Sequence, residues 1–208
     1  MAVWGNKYDR IRFLMTQDLN TPLCKLVKSV ADIELALGHL PGDKASLRTY
    51  SLGNETKSKT PFHPNRPKGE IQELATKYLK DGRFELMVSE GVPEEDSVIS
   101  AISIVGISTI YTEYALGPGT VRRLSMGEVK PLICNWDKKS HCMVANMGCD
   151  LFSKFEKVMR RLSLLRCNDI LVEWTWSAKP VGWKKQNWIF WEFMNNSKSS
   201  YFEGVPWK

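Results

Sequence analysis

The sequence predicts an α+β fold in which two amphipathic helices pack on a largely antiparallel sheet. Two observations support this prediction: apolar residues recur at helical spacing in two segments, and several stretches rich in Val, Ile, Thr, Tyr and Trp lie between turn residues. The chain has 208 residues, of which 43% are hydrophobic and 25% are charged, so its composition is that of a globular protein. We expect a single domain over residues 1–208.

The N-terminal part of the chain contains the first predicted helix. The apolar positions of Ile11–Met15 could form a short strand before it. Thr21 is typical of a helix N-cap, Pro22 is typical of the first helical position, and Pro41–Gly42 ends the pattern. The apolar residues at helical spacing are Leu23, Leu26, Val27, Val30, Ile33, Leu37 and Leu40.

Residues 43–69 show no hydrophobic period and are rich in Pro, Ser, Thr, Asn and Lys, which predicts a long exposed loop. Within it, Pro61 and Pro64 followed by Arg66 match a polyproline ligand with a basic anchor. Short Pro-rich loops also arise for conformational reasons alone, and that interpretation is favoured.

The middle of the chain predicts a helix and two or three strands. A short helix is expected over Glu70–Lys80, with Gly82 as its C-terminal stop. Arg83–Val88 alternates apolar and mostly polar residues and should be a strand. Val98–Tyr114 is dense in β-branched residues, which favours one or two buried strands with a bulge at Gly106, although the period alone also allows a helix.

The second amphipathic helix is predicted to begin at Asp150 as N-cap, because apolar residues then alternate at spacings of four and three. Two strands, Ile170–Trp176 and Trp188–Phe193, should form a hairpin around the turn Ala178–Gly182. The weaker elements before this helix are a turn at Gly117–Gly119 and strands at Val129–Cys134 and Cys142–Asn146.

Charge is distributed unevenly along the chain. Residues 1–80 carry 13 basic and 8 acidic side chains, residues 81–119 carry 1 and 7, and residues 120–208 carry 15 and 8, so the balance runs +5, −6, +7 within a total of +6. This polarity could steer a basic face toward phosphate or anionic lipid and let copies meet head to tail. Random surface variation accounts for so coarse a pattern equally well.

A basic face on the second helix is the main candidate for anion binding. Several of its cations share one side of the helix and suit phosphates or anionic headgroups. A solvated surface helix has the same pattern. The predicted anion-binding residues are Lys154, Lys157, Arg160, Arg161, Arg122 and Arg123.

Six of the eight tryptophans lie between Trp174 and Trp207, among lysines. Such aromatic residues can stack on bases, lie at a membrane interface or anchor a partner protein, whereas alternation at Trp174 and Trp176 is typical of a core. An acidic turn could meet basic residues of a second copy. The predicted self-association residues are Glu94, Glu95, Asp96, Trp183 and Trp207.

Metal and nucleophile patterns are weak. The sequence has no Cys-x-x-Cys knuckle, so zinc binding by Cys134, Cys142 and Cys149 is not expected. His141 and Cys142 are adjacent and would point to opposite faces of a strand, so they cannot readily form a base and nucleophile pair. We predict no catalytic residue, no metal and no cofactor.

Lys7–Met15, a Pro-containing turn and Ser29–His39 resemble the opening of the globular domain of rhabdovirus matrix proteins, in which an aromatic and basic strand leads into an Ala-rich amphipathic helix. The chain length, the basic pI and the eight methionines are similar as well. The chain departs from the family in lacking a long basic tail and a Pro-Pro-x-Tyr motif. The resemblance implies a small α+β protein that self-associates and bridges a nucleocapsid to an anionic membrane.

The sequence thus favours a non-enzymatic viral structural protein of matrix type, located in the host cytoplasm and the virion. Its expected partners are an anionic membrane surface or RNA in a nucleocapsid, and it should be a homo-oligomer. The alternative is an RNA-binding protein, such as a nucleoprotein or an RNA-sequestering silencing suppressor. No secretion signal and no membrane-spanning apolar run are recognised, and five cysteines without framework spacing agree with a reducing compartment.

Overall fold

The structure is a computed structural model that describes residues 7–51, 60–91, 93–118, 123–124, 126–145, 147–165 and 169–195. It is an α+β protein with two antiparallel sheets. The chain divides into two compact units, Met1–Asp9 with Pro22–Pro93 and Arg10–Thr21 with Glu94–Lys208. One domain over residues 1–208 stays a prediction, because this division does not measure whether the units fold separately.

The described residues form four helices and ten strands. The helices are α1 (Lys7–Thr16), α2 (Val30–His39), α3 (Lys68–Asp81) and α4 (Cys149–Ser163). The strands are β1 (Cys24–Val27), β2 (Lys44–Ser51), β3 (Phe62–Pro67), β4 (Phe84–Glu90), β5 (Ser97–Val105), β6 (Thr109–Leu116), β7 (Leu132–Asp137), β8 (Cys142–Val144), β9 (Ile170–Val181) and β10 (Gln186–Asn195).

In the first unit, α2 and α3 pack on one face of an antiparallel sheet with the strand order β1-β4-β2-β3. The sheet contributes alternate residues to this core, because successive side chains of a strand point to opposite faces. Ala45 and Leu47 of β2 and Val88 of β4 are completely buried there. Ser29 caps α2, since its hydroxyl accepts a hydrogen bond from the Asp32 amide at 3.1 Å.

In the second unit, an antiparallel sheet with the strand order β10-β9-β5-β6-β7-β8 packs one face against α4. Phe155 lies at the centre of this core, with its ring centroid 4.6 Å from that of Tyr114 and 5.2 Å from that of Trp174. All three residues have at most 1% of their surface exposed. The alternation of Trp174 and Trp176 thus serves the core, as the sequence indicated.

The chain just before β1 is fastened to the β9–β10 hairpin. The side-chain nitrogen of Asn20, Nδ2, donates to the carbonyl oxygens of Val181 at 2.8 Å and Trp188 at 2.6 Å. Its side-chain oxygen, Oδ1, accepts from the backbone amide of Lys184 at 2.9 Å. Gly182 has a φ of 76°, and a Cβ atom there would overlap the Asn20 side chain. The asparagine is 1% exposed, so these bonds satisfy a buried polar group.

Three sequence predictions in the N-terminal third are wrong. Ile11–Met15 belongs to α1, where Ile11 and Leu14 are completely buried at a helical spacing of three. The helix predicted from Thr21 starts only at Val30, because Cys24–Val27 is an edge strand paired with β4. Residues 43–69 are not a single loop, since they contain β2 and β3; residues 52–59 lie outside the described residues.

The remaining elements follow the sequence more closely. The helix over Glu70–Lys80 is confirmed as α3, and Gly82 ends it in the left-handed conformation with a φ of 71°. Val98–Tyr114 forms the two strands β5 and β6, but Gly106 lies in the turn between them and makes no bulge in β5. Asp150 lies in the first turn of α4, whose N-cap is Gly148.

The fold class is confirmed only at its coarse level. The described residues have four helices and two sheets, so two helices on one sheet was too simple a prediction. Among the residues that the structure describes, no helix combines the length and the apolar character that a membrane crossing requires.

Candidate functional site

Three glutamates lie in one row across the six-stranded sheet. Glu192 of β10 pairs with Glu173 of β9, Glu173 pairs with Ile102 of β5, and Ile102 pairs with Glu113 of β6. Residues that pair directly point to the same face of a sheet. All three glutamates therefore share the face opposite α4, which we call the carboxylate face, and all three are half-buried.

The local sequence explains why these acids lie opposite the core. In β9, Glu173 stands between Val172 and Trp174, which are both completely buried against α4. The period of two in a strand then turns the glutamate to the other face. Directly paired residues have Cβ atoms about 5 Å apart, so Glu173 and Glu192 form a close pair. Glu113 lies two strands from Glu173, about 10 Å away.

Arg10 of α1 forms an ion pair with this group. Its guanidinium lies 2.6 Å from a carboxylate oxygen of Glu192, and the two side chains are 11% and 14% exposed. The Arg10 Nε atom is buried and has no hydrogen-bond partner among the described residues. A nearly buried carboxylate is costly without a counter-charge, so Arg10 stabilises the ionised form of Glu192.

Glu113 has a different partner. The Tyr111 hydroxyl donates to a carboxylate oxygen of Glu113 at 3.1 Å. Burial, together with the nearby negative charge of Glu113, raises the pKa of Tyr111 to about 12. Ser100 also lies on the carboxylate face, two residues from Ile102, and its buried hydroxyl has no hydrogen-bond partner among the described residues.

On the carboxylate face, the described contacts thus join Arg10 to Glu192 and Tyr111 to Glu113. Within the described part of the chain, no group of three or more His, Cys, Asp or Glu side chains is placed to hold a metal ion. Glu173 and Glu192 can supply two carboxylates to a hard cation that takes its other ligands from water or phosphate, which is how Mg²⁺ is commonly bound. Arg10 adds a donor for an anionic oxygen.

Several of the residues predicted to bind anions are already paired with acidic side chains. On α4, Lys154 pairs with Asp150 and Arg160 pairs with Glu156. Arg161 lies 3.8 Å from Asp18. Three acids thus offset cations that the sequence suggested were nearly unopposed. Lys157 and Arg123 are exposed, whereas Arg122 lies outside the described residues. Anion binding by this set stays a prediction.

The residues predicted for self-association are partly engaged within the second unit. Asp96 forms an ion pair with Lys179 at 3.0 Å. The indole nitrogen of Trp183 donates a hydrogen bond to the carbonyl oxygen of Leu19 at 2.9 Å. Glu95 is exposed. Glu94 begins the 3-10 turn Glu94–Asp96, and Trp207 lies outside the described residues. Self-association through these residues also stays a prediction.

The cysteines show no shared site among the described residues. Cys134 is completely buried, and burial raises the pKa of its thiol to about 12. Cys142 and Cys149 are exposed and are not in disulfides. Cys167 lies outside the described residues.

Sequence comparisons identify no relative, but comparisons of structure do. No protein-family profile matches the chain, and no curated protein matches it. Similar solved structures include an ATP-grasp RimK domain protein from Sphaerobacter thermophilus, with a TM-score of 0.51, 13% identity, and coverage of 95% of this chain and 61% of that one. The N5-carboxyaminoimidazole synthase of Aspergillus clavatus, in complex with ADP and 5-aminoimidazole ribonucleotide, has a TM-score of 0.51, 12% identity, and coverages of 94% and 46%. An ADP complex of the N5-carboxyaminoimidazole ribonucleotide synthetase purK has a TM-score of 0.51, 16% identity, and coverages of 91% and 44%.

At these low identities the comparisons show a shared fold: this chain is folded like part of each of these proteins. The chain spans between 44% and 61% of the length of these three proteins. The resemblance to rhabdovirus matrix proteins is wrong, because the similar structures are ligases and synthetases. The same finding contradicts the predicted function, a matrix-type structural or RNA-binding protein, and the prediction that the chain is not an enzyme.

Sequence reasoning did not select Arg10, Glu173 and Glu192 as candidate site residues. The signal for the two glutamates was present, since each is a single acid inside an otherwise apolar and aromatic strand, ILVEWTW and NWIFWEFM. An acid at such a position costs free energy unless it has a partner or a function. Their pairing across β9 and β10, and the approach of Arg10, depend on register and tertiary structure.

Proposed function

We propose that this protein is an ATP-dependent ligase that binds the magnesium complex of ATP on its carboxylate face. The similar structures support this proposal through their fold, and two of them hold ADP. Because the chain spans only part of the length of those proteins, the complete ligation and its substrates belong to the proposal.

The main support is the pair Glu173 and Glu192. The two residues pair directly across β9 and β10, so both carboxylates can reach one cation. Their oxygen donors fit Mg²⁺, which typically uses one or two protein carboxylates and completes its coordination with water and substrate phosphates. When bound, Mg²⁺ would neutralise phosphate charge at this face.

Arg10 would perform a second task at the same place. Its planar guanidinium presents five donors, and the ion pair with Glu192 uses only some of them. The remaining donors can bind phosphate oxygens beside the carboxylates. Glu192 in turn fixes the position of the guanidinium, so the cation is oriented before the nucleotide arrives.

The expected reaction class is transfer of the terminal phosphoryl group of ATP to an acceptor, which leaves ADP. Such transfer depends on positioning and on charge stabilisation by residues like Arg10, Glu173 and Glu192. ATP and unpaired thiols such as Cys142 and Cys149 are both typical of the cell interior, so an intracellular location is part of the proposal.

Nucleotide titration of the full chain tests this proposal directly. We expect calorimetry to detect ADP binding that strengthens when Mg²⁺ is added. E173Q and E192Q should each weaken binding of the Mg²⁺ complex at least about tenfold, because each substitution removes a charged oxygen ligand. E156Q is the matched control, since Glu156 lies on α4, where its carboxylate pairs with Arg160.

Two outcomes would contradict the proposal. ADP affinity that does not respond to Mg²⁺ would remove the role of the carboxylate pair. Equal affinities in E173Q, E192Q and E156Q would show that nucleotide binds elsewhere or not at all. Circular dichroism of each variant separates loss of the ligand from loss of the fold.

A further inference from the structure

The first unit contains a cavity of about 290 Å³ beside the edge strand β1. Its floor is apolar and buried, since Ala36 and Leu40 of the α2 region are 3% and 8% exposed and Val88 of β4 is 0% exposed. The Lys25 ammonium and the His39 imidazole line the same cavity, and Lys25 supplies its positive charge. It therefore combines apolar floor atoms with positive charge.

We propose that this cavity binds a small carboxylic acid with an apolar body. The body would lie against Leu23, Ala36 and Leu40, and the carboxylate would pair with Lys25. Ligand sites commonly have this composition, an apolar lining with a few polar groups that fix orientation. The inference does not rest on the proposed nucleotide site, whose three glutamates belong to the second unit.

The nearby acids are already satisfied by backbone amides. The Asp32 carboxylate accepts from the Lys28 amide at 3.1 Å. This bond, followed by a hydrogen bond from the Ser29 hydroxyl, holds the pKa of its carboxyl below the usual range. Lys25 contributes less to that shift than these hydrogen bonds. Glu90 accepts from the Leu23 amide at 3.4 Å.

His39 is oriented by its own helix. Its Nδ1 atom lies 2.6 Å from the Leu35 carbonyl oxygen, so that nitrogen carries a proton and donates it. A fixed Nδ1–H holds the imidazole ring in one orientation at the cavity. Lys25 has a flexible stem and can follow a carboxylate that moves slightly in the site.

The cavity volume sets the size of the ligand. A water molecule occupies about 30 Å³ in the liquid, so the space corresponds to about ten waters. A ligand of about ten non-hydrogen atoms fits, and phenylacetate is a suitable probe. So small a ligand is expected to bind with a dissociation constant on the order of 1 mM.

The test compares phenylacetate with phenylacetamide, which has the same shape and no charge. Both are titrated into the full chain and followed by amide chemical shifts in two-dimensional NMR. We expect saturable binding of phenylacetate and at least about fivefold weaker binding of the amide. K25M should weaken phenylacetate at least about fivefold, whereas the matched variant K28M, an exposed lysine outside the cavity lining, should change it less than about twofold.

Cys24 provides a second measurement that needs no change in the site, because it also lines the cavity. In a C142S, C149S and C167S background, phenylacetate should slow alkylation of Cys24 by iodoacetamide, and phenylacetamide should slow it much less. If K25M does not fold, the protection of Cys24 from alkylation tests the proposal in its place. Absence of saturation, equal effects of acid and amide, or equal affinities of K25M and K28M would each overturn the proposal.

Discussion

The two faces of the six-stranded sheet are built from the same strands but have different chemistry. On the α4 side, Val172, Trp174 and Phe190 are completely buried. On the other side, Glu173 and Glu192 are half-buried, and Glu192 pairs with Arg10. The two sets are separated by the period of two along β9 and, in β10, by a register shift between Phe190 and Glu192. Substitutions on the two faces should therefore have separable effects.

The largest expected effect comes from the α4 side. F155A removes a completely buried ring that contacts Tyr114 and Trp174, and it should lower the free energy of unfolding by about 3–5 kcal/mol. Urea denaturation measures this value. F152A, at a position 38% exposed on the same helix, should cost less than about 1 kcal/mol. Equal losses in the two variants would mean that α4 does not pack as described.

The carboxylate face should be sensitive to charge more than to volume. R10M leaves Glu192 nearly buried without its partner and should lower the free energy of unfolding by about 3 kcal/mol. The double variant R10M/E192M removes both charges and should recover part of that loss. A double variant as unstable as the sum of the two single variants would show that the ion pair contributes nothing by itself.

Asn20 supports both faces at once, because it fastens the hairpin that carries them. N20A removes three hydrogen bonds of a buried side chain and should cost about 2 kcal/mol. It should also weaken nucleotide binding if β9 and β10 shift. N187A is a suitable control, since the Asn187 side chain bonds within the hairpin, to the carbonyl oxygens of Ser177 and Ala178. If N20A is destabilised but binds nucleotide as tightly as the parent, the position of the hairpin does not control the nucleotide site, contrary to this prediction.

The smallest effect concerns Tyr111 and Glu113. The pKa of Tyr111 is raised to about 12 by burial first and by Glu113 second, so E113Q should lower it without restoring the usual value near 10. Phenolate absorbance during an alkaline titration measures the change. The raised pKa implies stability that is present below pH 10 and is lost as the pH rises toward 12. An unchanged titration in E113Q would exclude the hydrogen bond.

Much of the second unit could be predicted from sequence because its strands and helix have strong, unmixed periods. In α4, Phe155, Val158 and Leu162 recur at helical spacing and are all completely buried. In β9, the run from Ile170 to Trp176 is long and rich in β-branched and aromatic residues. Such patterns fit few other structures, and the structure confirms the helix and the strand that they predict.

The first unit was harder to predict because its short elements fit two periods. Leu23, Leu26 and Val27 match a helix, yet Cys24–Val27 pairs with β4, which satisfies its backbone groups as an edge strand. In β2, the buried residues Ala45, Leu47 and Thr49 do alternate, but only one of them is large and apolar. Two prolines of β3 are compatible with an edge strand, a context that sequence alone does not reveal.

The candidate site could be predicted only in part, for a related reason. Glu173 and Glu192 each stand out as an acid in an apolar strand, but 19 positions separate them in the sequence. Only the register of β9 against β10 makes them neighbours. Arg10 reaches Glu192 from α1, at the other end of the chain, so no local pattern joins the three.

The attachment of Asn20 to the β9–β10 hairpin also determines when the second unit can be completed during synthesis. The Asn20 side chain leaves the ribosome early, whereas its acceptor on Trp188 follows 168 residues later. At about 5–20 residues per second, that interval lasts roughly 10–30 s. All strands of the first unit are synthesised before β5 emerges. The segment Arg10–Thr21 is therefore synthesised long before its partners in the second unit, whereas the first unit by then already has every strand it needs.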